Sequence, residues 1–120
     1  MYTMNLWVVM LTTLGADALL LWLAKEGYGM APAGDAKTPI DTTGPLPIVQ
    51  VRLTGSTDIT SNDLAKEVIG FLKERQINYY FIIVAKKSGG TSWFPGVTSM
   101  ESVPAALTQW DHLLEDEGEP

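Results

Sequence analysis

The chain contains no cysteine and only one histidine, and this shortage excludes several kinds of chemistry. Without cysteine there is no disulfide, thiolate zinc site, iron–sulfur cluster or cysteine nucleophile. Cysteine usage therefore gives no indication of whether the protein resides in an oxidising or a reducing compartment. A multi-histidine metal site is excluded as well, because His112 stands alone. No nucleophile-elbow motif accompanies His112, and no carboxylate pair is forced together by its spacing. We therefore expect no metal, no cofactor and no catalytic role for His112, and we predict that the protein is not an enzyme.

Positive charge is also scarce. Lys and Arg total 8 against 14 Asp and Glu, which gives a net charge of −6. Nucleic-acid binding needs clustered cations that neutralise phosphates, so this balance argues against a nucleic-acid partner. The composition is otherwise that of a folded protein, with 46% hydrophobic residues in a chain of 120, which is long enough for one core. We expect protein partners, in an oligomer or a larger complex.

Residues 6–24 are almost entirely apolar, with Asp17 as their one charge. One interpretation is a single transmembrane helix, because about 20 apolar residues cross a bilayer, and Trp7 and Trp22 lie near the two ends. The other interpretation is a buried strand at 6–11, a turn at 12–15 and a helix at 16–26 that ends at Gly27. Apolar periodicity does not separate these two structures, and both remain open.

The rest of the chain divides by composition. Residues 1–26 form the apolar segment, and residues 27–47, rich in glycine and proline, are typical of a linker. We expect residues 48–116 to form an α/β domain and residues 117–120 to form an acidic tail. Within the domain we expect a strand at 48–53, a helix at 62–76, a buried strand at 79–85 and a helix at 103–115. Strand, helix and strand in that order predict a βαβ unit with parallel strands, covered by the helices.

Asp17 is the strongest candidate for a functional residue. In a transmembrane helix, an acid at mid-depth faces a partner helix or a water path and can bind a proton. Thr13, one helical turn earlier, would share its face. In a soluble helix that starts near residue 16, Asp17 is instead a first-turn acid stabilised by the helix dipole. Asp17 and Thr13 are therefore proton-binding candidates under the first interpretation only.

The segment 86–96 is the second region of interest, and its glycines and serines predict a mobile surface loop. Its lysines, Lys86 and Lys87, are candidate ligands for an anion, although the loop lacks P-loop spacing. Trp93 and Phe94 are candidate partner contacts. In a soluble parallel sheet, ligands gather beyond the carboxyl ends of the strands. That arrangement predicts one polar crevice formed by Thr12, Thr13, Thr54, Ser56, Lys86 and Lys87.

The layout of the whole chain resembles the ExbD/TolR family of biopolymer-transport accessory proteins. The matching stretches are LGADALLLWLA around Asp17, then LPIVQVRL, NDLAKEVIGFLKERQINYYFIIVAKK and ESVPAALTQWDHLL. The resemblance implies a single-pass membrane subunit with an extracytoplasmic domain, which couples to protons through Asp17 in a larger complex. The alternative is a cytoplasmic βαβαβα domain that binds a protein partner or a small anionic ligand.

Overall fold

The computed structural model describes residues 2–33, 36–44, 46–56, 59–86 and 90–96. The strands among these residues form one sheet, and two helices pack on it. In chain order the elements are β1 (Tyr2–Met10), α1 (Thr13–Lys25), β2 (Gly29–Pro32), β3 (Ile40–Asp41), β4 (Ile48–Gly55), α2 (Ser61–Glu74), β5 (Tyr79–Lys86) and β6 (Gly90–Pro95).

The described strands form one mixed α/β domain in which every pairing is antiparallel. The strand order is β2-β4-β1-β5-β6, and β3 also pairs with β4. β1 is central, and its residue Val8 pairs with Val49 of β4 on one side and with Ile82 of β5 on the other. The N-terminal strand therefore joins the two strands predicted from the later sequence into one sheet.

The apolar run at 6–24 is a strand followed by a helix, the second of the two structures that its sequence allowed. β1 is buried from Met4 to Met10, which explains its continuous apolar sequence. α1 begins at Thr13, earlier than the predicted residue 16. Among the helices of the described residues, none has the length and apolar character needed to cross a membrane.

The two strands predicted to be parallel have the predicted relative direction, and a third strand lies between them. β4 and β5 run in the same direction, as expected of a strand–helix–strand unit, but they are not neighbours. β1 lies between them and is antiparallel to both, so β4, α2 and β5 form a split βαβ unit. The pairings of the described strands are therefore all antiparallel, although β4 and β5 are parallel to each other, because an apolar strand from the N-terminus lies between them.

Two segments predicted to lack regular structure contain strands. The glycine- and proline-rich segment 27–47 includes β2 and β3, both paired with β4. The predicted loop 86–96 includes β6, which pairs with β5 from Phe81↔Pro95 to Lys86↔Gly90. The predicted helix at 103–115 and the tail at 117–120 lie outside the described residues, as does His112.

Both helices pack on one face of the sheet. α2 buries the face predicted from its spacing, which includes Leu64, Val68, Phe71 and Leu72. These side chains share a core with alternate residues of β1 and β4, among them Leu6, Val8, Val49 and Val51. The opposite face of the sheet holds a second apolar cluster, whose buried members are Trp7, Val9, Ala33, Phe81, Ile83 and Ala85.

Candidate functional site

An open groove lies between α1 and the C-terminal end of α2, and we call it the α1 groove. Its volume is about 590 Å³. Most of its lining comes from the outer side of α1 and from the turn that joins α2 to β5. The lining residues are Leu11, Thr12, Leu14, Gly15, Ala18, Leu21, Trp22, Lys25, Phe71, Arg75, Gln76, Ile77 and Asn78.

The start of α1 is fixed at one end of the groove by a cap. Thr12 is extended, and its side-chain oxygen accepts a hydrogen bond from the Gly15 backbone N–H at 3.0 Å. This bond satisfies one of the free donors of the first turn. Gly15 also brings α1 close to its neighbours, since a Cβ added there would lie 3.0 Å from Ile77 Cγ2 and 3.1 Å from Met10 Cε.

α1 exposes large apolar side chains on the side that faces the groove. Leu14 is 79% exposed and Leu21 is 61% exposed, while Leu19 and Leu23 on the inner side are fully buried. Leu14, Ala18 and Leu21 follow the i, i+4, i+7 spacing of one helix face. The helix is therefore apolar on two sides, and only the inner side has a partner in the sheet.

The floor of the groove is aromatic. The rings of Trp22 on α1 and Phe71 on α2 stack with centroids 4.7 Å apart and an interplanar angle of 15°. The guanidinium carbon of Arg75 lies 5.8 Å from the centroid of the Phe71 ring, within the range of a cation–π contact. The stack fixes the spacing of the two helices, and Arg75 is held at the rim.

The turn after α2 closes the far end of the groove. Gln76 adopts a left-handed conformation with φ of 57°, which is uncommon for a residue with a side chain. The backbone N–H of Gln76 donates to the carbonyl of Lys73 at 3.1 Å, and that of Ile77 donates to the carbonyl of Leu72 at 2.8 Å. These bonds end the helix in the manner of a Schellman motif and direct Ile77 to the groove wall.

The charge of the groove is opposite to that of the chain. Lys25 and Arg75 line it, and its described lining includes no Asp or Glu. The whole chain carries a net charge of −6. An apolar groove with a positive rim is suited to an apolar ligand that carries negative charge at its flank.

The structure places Asp17 and Thr13 on the exposed surface of α1. Neither residue lines the α1 groove. Asp17 is not a first-turn acid, as one interpretation had it, because α1 begins earlier than predicted and its first turn contains no acidic residue. The proton-binding role of Asp17 and Thr13 stays a prediction.

The predicted polar crevice is not assembled. β1 runs antiparallel to β5, so Met10 pairs with Tyr79 at the start of β5, and Met4 pairs with Lys86 at its end. Thr12 and Thr13 consequently lie at one end of the sheet, whereas Thr54, Ser56 and Lys86 lie towards the other. A parallel sheet would have brought the two groups together, and the antiparallel sheet separates them.

The other predicted contacts fall on the β5–β6 hairpin. Phe94 is half-buried and packs against the core on the helix side, so it is a structural residue in part. Trp93 pairs with Ile83 in the register, and only its backbone is described. Lys86 ends β5, also with only its backbone described, and Lys87 lies outside the described residues.

Neither the described residues nor the comparisons with known proteins indicate a metal ligand or a relative. Within residues 2–33, 36–44, 46–56, 59–86 and 90–96, no three His, Asp or Glu side chains are grouped so as to hold a metal ion. Comparison of the chain with protein-family models, with curated proteins and with solved structures finds no significant match. The resemblance to ExbD/TolR therefore stays a prediction.

The sequence contains a signal for the α1 groove in Leu14, Leu21 and Trp22. Within the apolar run 6–24, these three residues are compatible with a membrane span and with a buried segment. A helix whose large apolar side chains occupy more than one side needs a partner beyond the sheet on which it packs. Because β1 occupies the centre of the sheet, α1 packs on the sheet with one side only, and Leu14 and Leu21 on its outer side stay exposed.

Proposed function

We propose that the protein is a binding domain that holds an apolar helical segment of a partner protein in the α1 groove. The observation that carries the proposal is the exposure of Leu14 and Leu21 on one face of α1, beside an open groove. This is the soluble, protein-binding alternative weighed from the sequence, at a site that the sequence analysis did not identify.

The face of α1 has the form that helix-in-groove recognition uses. Two leucines flank the small residue Ala18, so a partner helix can approach closely between them. Burying one leucine side chain contributes about 1.5–3 kcal/mol, and two exposed leucines leave that free energy available for binding. The aromatic floor formed by Trp22 and Phe71 adds flat apolar surface below them.

The charges select among apolar partners. Lys25 and Arg75 at the rim favour a segment with Asp or Glu beside its apolar stripe and disfavour a lysine-flanked one. We therefore propose an amphipathic, acid-flanked helix as the occupant. A rim pair near the surface contributes modestly, so the charges set specificity and the leucines set affinity.

A pair of synthetic peptides tests this function. Both carry the same leucine stripe over about five helical turns, one with glutamate flanks and the other with lysine flanks. We expect saturable binding of the glutamate peptide in fluorescence anisotropy, and at least about tenfold weaker binding of the lysine peptide, equivalent to about 1.4 kcal/mol. Lys25→Glu with Arg75→Glu should reverse this preference.

A matched pair of variants locates the binding. Leu14→Glu with Leu21→Glu should abolish binding of the glutamate peptide. Ala24→Glu with Asn62→Glu adds the same charge at exposed helical positions outside the groove and should leave binding unchanged. Equal loss in both variants, equal binding of both peptides, or self-association of the chain through the two leucines would each contradict the proposal.

A further inference from the structure

The two helices end in the same backbone geometry but with different residues. At each end, one backbone N–H donates to the carbonyl three residues earlier, and the next N–H donates to the carbonyl five residues earlier. The residue that makes the first of these bonds is left-handed in both cases, Gly27 after α1 with φ of 89° and Gln76 after α2 with φ of 57°. Among the described residues other than glycine, only Gln76 has a positive φ.

Glycine is the residue that position 76 favours on backbone grounds. The left-handed conformation crowds the Cβ of other residues against the backbone, and glycine has no Cβ. The hydrogen bonds of the turn are made by backbone groups, which a glycine also provides. The side chain of Gln76 is exposed, so the core does not depend on it. The fold therefore does not account for a glutamine at this position.

Gln76 lies between two cavities, of which one is the α1 groove. The other, which we call the hairpin cavity, lies between α2 and the β5–β6 hairpin and has a volume of about 660 Å³. Its lining residues are Ile69, Leu72, Lys73, Gln76, Ile77, Asn78, Tyr79, Phe94 and Gly96. Gln76 and the two residues after it line both cavities, whereas Gly27 lines neither. The glutamine therefore stands at the helix end where a side chain can meet a ligand.

Positive charge lies on both sides of Gln76. Arg75 lines the α1 groove and Lys73 lines the hairpin cavity, and the described lining of neither cavity includes Asp or Glu. The carboxamide of Gln76 adds two N–H donors. Cations and N–H donors suit the last four carbonyl oxygens of a helix, which carry partial negative charge and have no partner within that helix. The surroundings of Gln76 are therefore suited to the C-terminal end of a bound helix.

The hairpin cavity has an apolar wall beside this point. Leu72 of α2 is part of the core on the helix side of the sheet, and Ile69 and Phe94 pack against that core. Ile69 and Phe94 keep part of their surface exposed. A concave site with apolar walls and a few polar groups suits an apolar side chain that arrives from a neighbouring polar contact.

We propose that the helix bound in the α1 groove ends at Gln76, whose carboxamide donates to the last free carbonyls of that helix, and that the partner chain continues with an apolar residue in the hairpin cavity. This inference rests on the proposed function, because it assigns a position to each part of the partner. Carbonyls inside a helix are already bonded, so Gln76 reaches a free one only where the helix ends. The glutamine serves the partner, and its left-handed backbone lowers the stability of the fold.

Two extended peptides test the path of the partner. Both are the glutamate-flanked peptide with three further residues at the C-terminus, Gly-Ser-Leu in one and Gly-Ser-Ser in the other, in which the glycine ends the helix. We expect the full chain to bind the leucine-extended peptide at least about fivefold more tightly. That peptide should also shift the amide signal of Phe94, which the unextended peptide should not.

The outcomes separate this inference from the function on which it rests. Equal affinity for the two extended peptides would overturn the inference and leave a helix-binding α1 groove in place. No binding of any glutamate-flanked peptide would contradict the proposed function, and this inference with it.

Removal of the carboxamide tests the role of Gln76 itself. Gln76→Ala keeps a Cβ in the left-handed position and should weaken binding of the leucine-extended peptide at least about fivefold. Asn62→Ala removes a carboxamide from an exposed position outside both cavities and should leave the affinity unchanged. Equal affinities of the two variants would show that Gln76 does not bind the partner.

Thermal unfolding without any peptide gives an independent measurement. Gln76→Gly should raise the midpoint of unfolding by about 2–6 °C, because glycine adopts the left-handed conformation freely, and it should weaken binding as much as Gln76→Ala does. Gly27→Ala, at the matching position after α1, should lower the midpoint. A Gln76→Gly variant no more stable than the natural chain would mean that the side chain serves the fold, and would overturn the proposal.

Discussion

The indole of Trp22 stacks on the phenyl ring of Phe71, with ring centroids 4.7 Å apart. This contact joins α1 to α2 and forms the floor of the α1 groove. Phe71 also belongs to the buried core on the helix side of the sheet. One residue therefore serves both the stability of the domain and the shape of its candidate site.

The first prediction concerns Phe71. Phe71→Ala should lower the free energy of unfolding by about 3–5 kcal/mol, because it removes a buried ring and leaves a cavity under Trp22. Urea denaturation measures this loss. Lys73→Ala, an exposed position on the same helix, should change stability by less than about 0.5 kcal/mol. If the two variants are equally stable, the stack contributes nothing to the fold.

The second prediction concerns the cap of α1. Thr12→Ala removes the oxygen that accepts the Gly15 N–H and should cost about 0.5–2 kcal/mol in thermal or urea unfolding. Thr12→Ser keeps a hydroxyl and should retain most of the stability. A serine variant as unstable as the alanine variant would show that the threonine methyl, and not the hydrogen bond, is what matters.

The third prediction concerns Gly96, where β6 ends. A Cβ at this position would overlap the backbone oxygen of Tyr79, which is not a flexible side-chain end. Gly96→Ala should therefore force the backbone to shift and cost about 1–3 kcal/mol. Gly44→Ala has open space around it and is the matched control, expected to be close to neutral. Equal stability of the two variants would mean that the close approach of Gly96 to the Tyr79 backbone does not require glycine.

The fourth prediction concerns alkaline pH. Burial raises the pKa of Tyr79 above its ordinary value. Near pH 10 and above, the unfolded chain releases this proton before the folded chain does, so Tyr79 makes stability fall as the pH rises. Comparing the free energy of unfolding at neutral pH and above pH 10 should show a smaller loss for Tyr79→Phe than for the natural chain. An identical loss in both chains would exclude Tyr79 as a source of alkaline instability.

Local sequence patterns were sufficient to predict several elements. α2 has its predicted buried face because Leu64, Val68 and Leu72 recur at helical spacing between charged residues. β5 is an apolar run without charge, and it lies inside the sheet as such a run predicts. In both cases the local pattern and the final environment agree.

The order of the strands could not be predicted in the same way. The spacing of β4, α2 and β5 fixes their relative direction and leaves open which strand lies between them. β1 takes that place through pairing with residues more than forty positions away, such as Leu6↔Val51. No local pattern in the apolar run indicates that partner, so the position of β1 between β4 and β5 could not be predicted.

The candidate site could not be predicted because it consists of apolar side chains of α1 that stay exposed after the chain has folded. Leu14 and Leu21 have the same side chain as the buried Leu19 and Leu23, and only the packing of α1 distinguishes them. The hairpin at 86–96 escaped for a different reason. Its glycines indicate a turn, and the strand-forming residues that follow them were interpreted as part of the same loop.

The central claim is that the α1 groove binds an acid-flanked helix, and an NMR titration of the full chain with the glutamate-flanked peptide tests it most directly. We expect saturable shifts of the amides that line the groove, centred on Ala18, Leu21 and Arg75, with the amides of β6 unmoved. Shifts centred away from α1 and the end of α2, or no shifts at saturating peptide, would contradict the claim.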